Sequence, residues 1–414
     1  MKKILKFIIA IILLLVIVVV GYTYISFNYY SPSDPNVTVD QSKLVYFQDT
    51  YNDCRKAFIE QAESLKERFD SVWIFSEPLK SKTDTDLTID FCYIPAKDTT
   101  LKLLILNCGT HGIEGYTGSA VEQMLMSELF QPDMFSDMGV LVVHALNAWG
   151  FKHERRVTEN NVDLNRNFSI NKSLFSTKNE GFADLYKLLT PKGKVNTGSL
   201  ANRFFMLRIM GQIIRKGLPA LTQAFAQGQY QYPEAIYFGG NDFEQQVQIM
   251  SEVIKKVAEK YDTVLSIDLH TGFGERGNLH LFLNPVDNPN IRQNIEAVFK
   301  GYPIDWGNSD NFYTITGEFV EFIGDLLPGK TCIPMLMEYG TLNTGKTTGL
   351  VLSGYISIIE NQGFHYGYKS KKDSIKVKEL FHEMFYPPSE KWRTNAIVVG
   401  KEMMQSAIKN FEEL

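Results

Sequence analysis

The stretch Leu101–Gly115, LKLLILNCGTHGIEG, decides how the rest of the chain is read. Its opening run is apolar apart from one lysine and stops at Asn107, and glycines follow at 109, 112 and 115. A short apolar run bounded by turn residues reads as a buried strand. What the turn presents is His111 and Glu114, three residues apart. In open α/β sheets ligands bind beyond the carboxyl ends of strands, so these two side chains stand where a site is expected.

Working outward, strand-like runs recur at 71–75, 86–94, 140–145, 264–269, 280–283 and 333–337. Helical patterns occupy 51–69, 117–130, 243–261, 347–360 and 391–414. This alternation predicts an α/β fold with a mixed, largely parallel, twisted central sheet flanked by helices. The N-terminal end differs: MKKILK is followed by Phe7–Phe27 without a charge, about the length that spans a bilayer. No small-x-small triplet follows it, which favours an uncleaved anchor over a signal peptide. The lysines before the span predict a cytoplasmic N-terminus and a body outside the cell membrane. The expected organisation is an anchor over 1–30, a linker over 31–41 (SPSDPNVTVDQ) and a single domain over 42–414. A long insertion at about 169–261 interrupts that domain.

With 42 basic against 47 acidic residues the formal net charge is −5, which argues against a nucleic-acid partner. The four cysteines are scattered without a C-x-x-C, which argues against a thiolate metal site. Histidine and carboxylate ligands are the alternative. His111, Glu114 and a distant histidine such as His270, which ends the strand VLSIDL, form a ligand set that leaves a coordination position open for water. Asp268 shares a strand face with His270 and is a candidate outer partner for it. In VDLNRNF, Asn165 and Arg166 can together read a carboxylate. Arg156 can supply positive charge to an oxyanion, and Glu338, in MEYGT at a strand end, can take a proton from water. Each of these residue types is common as a solvated charge. What is uncommon is that all of them follow strands. His144 and His280, inside apolar runs, read instead as core histidines.

Taken in order, GTHGIEG, HALNAWGF, RRVTENNVDLNRNF, SIDLHTG, YTITG and MEYGT resemble the motifs of the zinc metallocarboxypeptidase family related to carboxypeptidase A, and more closely a bacterial branch of it. The resemblance spans about 101–341. It implies one Zn2+ ion bound by His111, Glu114 and His270, with Glu338 as general base and Arg156, rather than its neighbour Arg155, polarising the scissile carbonyl. It further implies that Asn165 and Arg166 grip a terminal carboxylate and that Tyr313, four residues before Gly317, closes over substrate. Asn147-Ala148 replaces the usual Asn-Pro, and the insertion from Ser169 to Tyr261 departs from the compact members. The expected function is a membrane-anchored zinc hydrolase of carboxypeptidase type, cleaving an amide bond beside a free carboxylate in a peptide or N-acyl amino acid. Two alternatives stay open: an N-acyl amino acid deacylase or cell-wall peptide amidase with the same metal chemistry, and a surface-anchored binding protein without turnover.

Overall fold

The computed structural model describes residues 2–97, 99, 101–307 and 315–414. Eight strands form one sheet: β1 (Trp73–Pro78), β2 (Thr88–Ile94), β3 (Lys102–Cys108), β4 (Met138–His144), β5 (Thr263–Thr271), β6 (Leu279–Leu283), β7 (Ile304–Trp306) and β8 (Thr331–Tyr339). Their order is β1-β2-β4-β3-β5-β8-β6-β7. The four central strands, β4, β3, β5 and β8, run parallel, while β2 joins β4 and β6 joins β8 in antiparallel fashion. β4 is buried along its whole length, and β3 and β5 are buried beyond their first residue. That double burial is why these strands read as unbroken apolar runs. The sheet is mixed and parallel at its centre, as the sequence predicts.

The helices used below are α1 (Lys2–Asn28), α2 (Tyr51–Ser64), α3 (Gly115–Met124), α4 (Glu180–Leu189), α5 (Phe205–Lys216), α6 (Leu218–Ala226), α7 (Gln245–Ala258), α8 (Thr347–Tyr366), α9 (Lys371–Phe385) and α10 (Glu390–Glu413). α3 packs on the central strands with α2 and α10 against it, and Phe319–Leu326 packs on β5 and β8 with α7 beside it. Side-chain caps fix several starts: Thr50 accepts from Asp53 N at α2, and Ser389 accepts from Trp392 N at α10.

α1 is exposed through its apolar stretch, and its length and composition suit a membrane span and equally a signal sequence. Its last turns are different. Thr23 and Phe27 are buried, Phe27 lies 6.2 Å from the Phe205 ring and 5.4 Å from that of Tyr355, and Asn28 Nδ2 donates to Arg203 O at 2.9 Å. Residues 31–41 continue along the body, where Asp34 pairs with Arg276 at 2.8 Å and accepts from Ser389 Oγ at 2.7 Å. Within 169–261, α7 belongs to the helices flanking the sheet. α4, α5 and α6 instead contribute to a cavity at the carboxyl ends of the central strands.

Candidate metal centre and the cavity beside it

β3 ends at Cys108, and Gly109 turns the chain with φ +70°, a backbone state that L side chains rarely adopt. Gly112 has a second reason to be glycine: a Cβ there would stand 2.1 Å from the Gly150 carbonyl carbon. This close approach lets Gly112 N donate to Arg156 O at 3.1 Å and Ile113 N to Arg155 O at 2.9 Å. The turn that carries His111 is thereby tied to the segment that carries Arg156. Gly112–Glu114 form one turn of 3₁₀ helix leading into α3, so His111 and Glu114 emerge on one side.

His270 arrives on the neighbouring strand β5. One donor atom each from His111, Glu114 and His270 lies within 4.8 Å of the others, and all three residues are buried. The His111 and His270 Nδ1 atoms are 3.2 Å apart, and they stand 2.8 Å and 3.0 Å from the two Glu114 oxygens. Donors bound tetrahedrally at zinc distances are spaced by roughly 3.3 Å, so the group matches the size of a metal site. The other ring nitrogens face carboxylates: His111 Nε2 is 3.1 Å from Asp163 and His270 Nε2 is 2.8 Å from Asp268. Asp268 is held in turn by Asn107 Nδ2 at 2.6 Å and Thr110 Oγ1 at 2.9 Å. When each Nε2–H donates to its aspartate, both Nδ1 lone pairs and the Glu114 oxygens converge on one point, which demands a proton or a cation there.

The electrostatics agree. Burial opposes charge on His270, yet Asp268 and Glu114 on its two nitrogens raise its pKa well above the usual histidine range. Burial likewise works against the Glu114 carboxylate, but His111 and His270 hold its pKa down at about 2. For Asp163, Arg156 and His111 outweigh burial and keep the carboxyl well below the ordinary range. His111, Glu114 and His270 therefore form a group that can hold a metal ion, in competition with protons.

Glu338 is the register partner of His270 across β5 and β8, and both His111 and Glu338 line the same cavity. Burial pushes the Glu338 carboxyl up to about 7. Arg156 lines this cavity too, with its guanidinium 4.5 Å from the Tyr237 ring centre and Nη1 2.9 Å from Asp163 Oδ2. Its Nη2 is 2.7 Å from His111 Nε2, a bond only if that nitrogen accepts. Arg155 points elsewhere, paired with Glu360 at 2.8 Å and stacked on Phe364.

The structure does not bring Asn165 and Arg166 into the cavity lining. Arg166 is buried, its Nε and Nη2 donating to Ala226 O at 3.1 Å and 2.6 Å and its Nη1 to Asn165 O at 2.7 Å. The guanidinium thus caps the carbonyl end of α6. Asn165 Oδ1 accepts from Phe319 N at 3.0 Å. Tyr313 lies outside the described residues. Two residues of the site went unnoticed in the sequence: Asp163, whose signal was its place at the head of DLNRN, and Tyr237, which no motif marks. His144 is a buried core histidine, 3.0 Å from Ser119 Oγ and stacked on Phe58, and burial lowers its pKa to about 4. His280 is half-buried and accepts from Glu275 N at 2.9 Å. The four cysteines are free, Cys332 partly exposed.

No curated protein matches the sequence. Among solved structures, the chain is similar to carboxypeptidase A from Helicoverpa armigera, at 14% identity over 88% of this chain and 80% of that one with a TM-score of 0.42. It is similar to a metallo-carboxypeptidase from Pseudomonas aeruginosa in complex with (2-guanidinoethylmercapto)succinic acid, at 14% identity, 77% and 71% coverage and a TM-score of 0.39. Bovine thrombin-activatable fibrinolysis inhibitor, in complex with tick carboxypeptidase inhibitor, gives 12% identity, 78% and 99% coverage and a TM-score of 0.42. At such low identities and scores, the chemistry of this chain has to be read from its own side chains. Residues 47–399 match a family described as "Protein of unknown function (DUF2817)", and the chain belongs to that family.

Proposed function

We propose that this protein is a zinc-dependent amide hydrolase held at the outer face of the cell membrane by α1. One observation carries the reading: His111, Glu114 and His270 each offer a donor atom to one point, and Glu338 lies beside His270 in register and lines the same cavity. The order of the six sequence motifs supports it. A zinc ion held there supplies Lewis acidity toward a carbonyl and toward water. Glu338 takes the proton of the attacking water and delivers it to the departing nitrogen, and a carboxyl with a pKa of about 7 can do both near neutral pH. Arg156 provides positive charge where the carbonyl oxygen becomes negative. Asp163 and Asp268 orient the two histidine rings.

In the carboxypeptidase form of this reading, Asn165 and Arg166 bind the substrate's terminal carboxylate, and Arg166 must first leave Ala226 O and Asn165 O. A deacylase form needs no such rearrangement, and the apolar lining of the cavity favours it. The test is elemental analysis of the purified full-length protein together with hydrolysis of two substrate sets, peptides with a free carboxyl end and N-acyl amino acids. About one zinc per chain is expected, and Glu338→Gln is expected to keep the metal and lose turnover. Undiminished turnover by Glu338→Gln on any cleaved substrate sinks the assignment of the base.

A further inference from the structure

We infer that the cavity receives the hydrocarbon chain of a membrane-borne fatty-acyl amide, placing its carbonyl at the candidate metal centre. This rests on the hydrolase reading above and narrows its substrate class.

The cavity, of about 150 Å³, joins two unlike sets of residues. His111, Glu114, Arg156 and Glu338 are the charged or histidine side chains among its described lining. The rest is dominated by apolar side chains from the insertion and α8, among them Leu185, Ile209, Leu221, Phe225, Val351 and Ile358. Among the described lining residues a substrate carboxylate meets no cation besides Arg156, whereas a hydrocarbon chain finds continuous apolar contact.

One helix connects this wall to the membrane segment. Phe205 and Ile209 of α5 line the cavity, while Phe205 also packs on Phe27 and Met210 accepts from Thr23 Oγ1 at the base of α1. If α1 spans the bilayer, α5 lies at its surface. The flanking sequence suits that place: residues 185–233 contain seven lysines and arginines and no aspartate or glutamate. Two of these lysines pair with acids outside the segment, Lys216 with Asp184 and Lys192 with Glu234. Leu200 and Ile214 are large apolar side chains left 74% and 84% exposed here. A basic amphipathic helix with exposed apolar residues is the signature of an interfacial helix on an anionic membrane. A hydrocarbon chain seated on the α5, α6 and α8 side chains brings its carbonyl to His111, Glu114, Arg156 and Glu338, the charged side of the same cavity.

The reaction balances as a hydrolysis. Water adds across the C–N bond: the acyl carbon gains the hydroxyl, the nitrogen gains the proton relayed by Glu338, and a fatty acid and a free amine leave. No oxidant or second substrate is required.

The test uses full-length protein in phosphatidylglycerol-containing vesicles, with N-acyl alanines from acetyl to palmitoyl. The expected result is a kcat/KM that rises by roughly three- to fourfold per added methylene until the cavity is full. Ile209→Trp, which fills the wall, is expected to lower the palmitoyl-to-acetyl ratio of kcat/KM at least tenfold. A second arm is independent of turnover. Glu338→Gln protein is photolysed with an N-acyl alanine whose chain carries a diazirine, and the adducts are mapped by mass spectrometry. Adducts on α5, α6 and α8 wall residues support the inference even if no amide is cleaved, in which case the hydrolase reading alone falls. Hydrolysis that ignores chain length, or adducts confined to α1, overturns the inference and leaves the hydrolase reading standing.

Discussion

The floor of the cavity comes from the ends of β3, β5 and β8, where charged groups are buried and each is fixed by another: Asn107 and Thr110 hold Asp268, Asp268 holds His270, and Asp163 holds His111. Its wall comes from α4, α5 and α6, where apolar side chains such as Leu188, Ile209 and Phe225 are only partly buried and are held by packing. The floor has many bonds per residue and little room to move, which suits chemistry that fails when geometry drifts. The wall has contacts without direction, which suits a ligand recognised by length and shape. Mutations should therefore act through different observables in the two regions.

The largest effect belongs to the floor. On the proposed role, Glu338→Gln removes the proton carrier and keeps the shape, so turnover should fall by roughly a hundred- to ten-thousandfold with metal content unchanged. The pH dependence follows from the same residue. As the proposed base, Glu338 acts when deprotonated, so activity should rise with pH through a limb at about 7. Bound metal charge favours the carboxylate and can only move that limb to lower pH. A limb on kcat/KM that persists unchanged in the residual activity of Glu338→Gln contradicts this role.

Next come the aspartates behind the histidines. Asp163→Asn or Asp268→Asn leaves all three ligands in place and should weaken metal affinity by roughly 10- to 100-fold. Competition with a chromogenic chelator reads this directly. Unchanged affinity in both variants would mean that the floor does not orient its ligands.

Arg166 links the two regions, since it rises from the floor segment and caps α6 of the wall. If its task is this cap, Arg166→Met should lower stability by about 1.5–3 kcal/mol, the scale of a hydrogen bond to a charged group. KM should then change little. A KM increase of tenfold or more with unchanged stability would instead return Arg166 to the carboxylate-binding task that the sequence resemblance implies.

The floor was far more legible in the sequence than the wall. His111, Glu114, His270 and Glu338 are common residue types that all stand at the ends of apolar runs, and a strand buried on both faces announces its own end. Asp163 was harder because an aspartate before Leu164 looks like an ordinary turn residue, and its meaning comes from His111, 52 positions away. β7 escaped because three residues cannot establish a period. α9 escaped because its surface is rich in lysine, although Val377, Phe381, Met384 and Phe385 do recur at helical spacing on its buried side. The wall is marked only as a long insertion, and its lining residues carry no such signal. A leucine lining a cavity and a leucine filling a core are the same letter, and only the packing tells them apart.

That ambiguity yields the smallest predicted effect. Ile209 is half-buried and faces the cavity, so Ile209→Ala removes methyl groups that have protein on one side only. The loss should stay under about 1 kcal/mol, whereas Leu104→Ala, inside β3 and fully buried, should cost about 2–5 kcal/mol. Urea denaturation of the two variants compares them on one scale. If Ile209→Ala approaches Leu104→Ala, the wall is core in disguise, α5 is locked between α1 and the body, and the room for a hydrocarbon chain has to be sought elsewhere. If it stays small while the chain-length dependence of kcat/KM changes, the wall contributes to selectivity and little to folding. That outcome is what a surface facing a ligand should give.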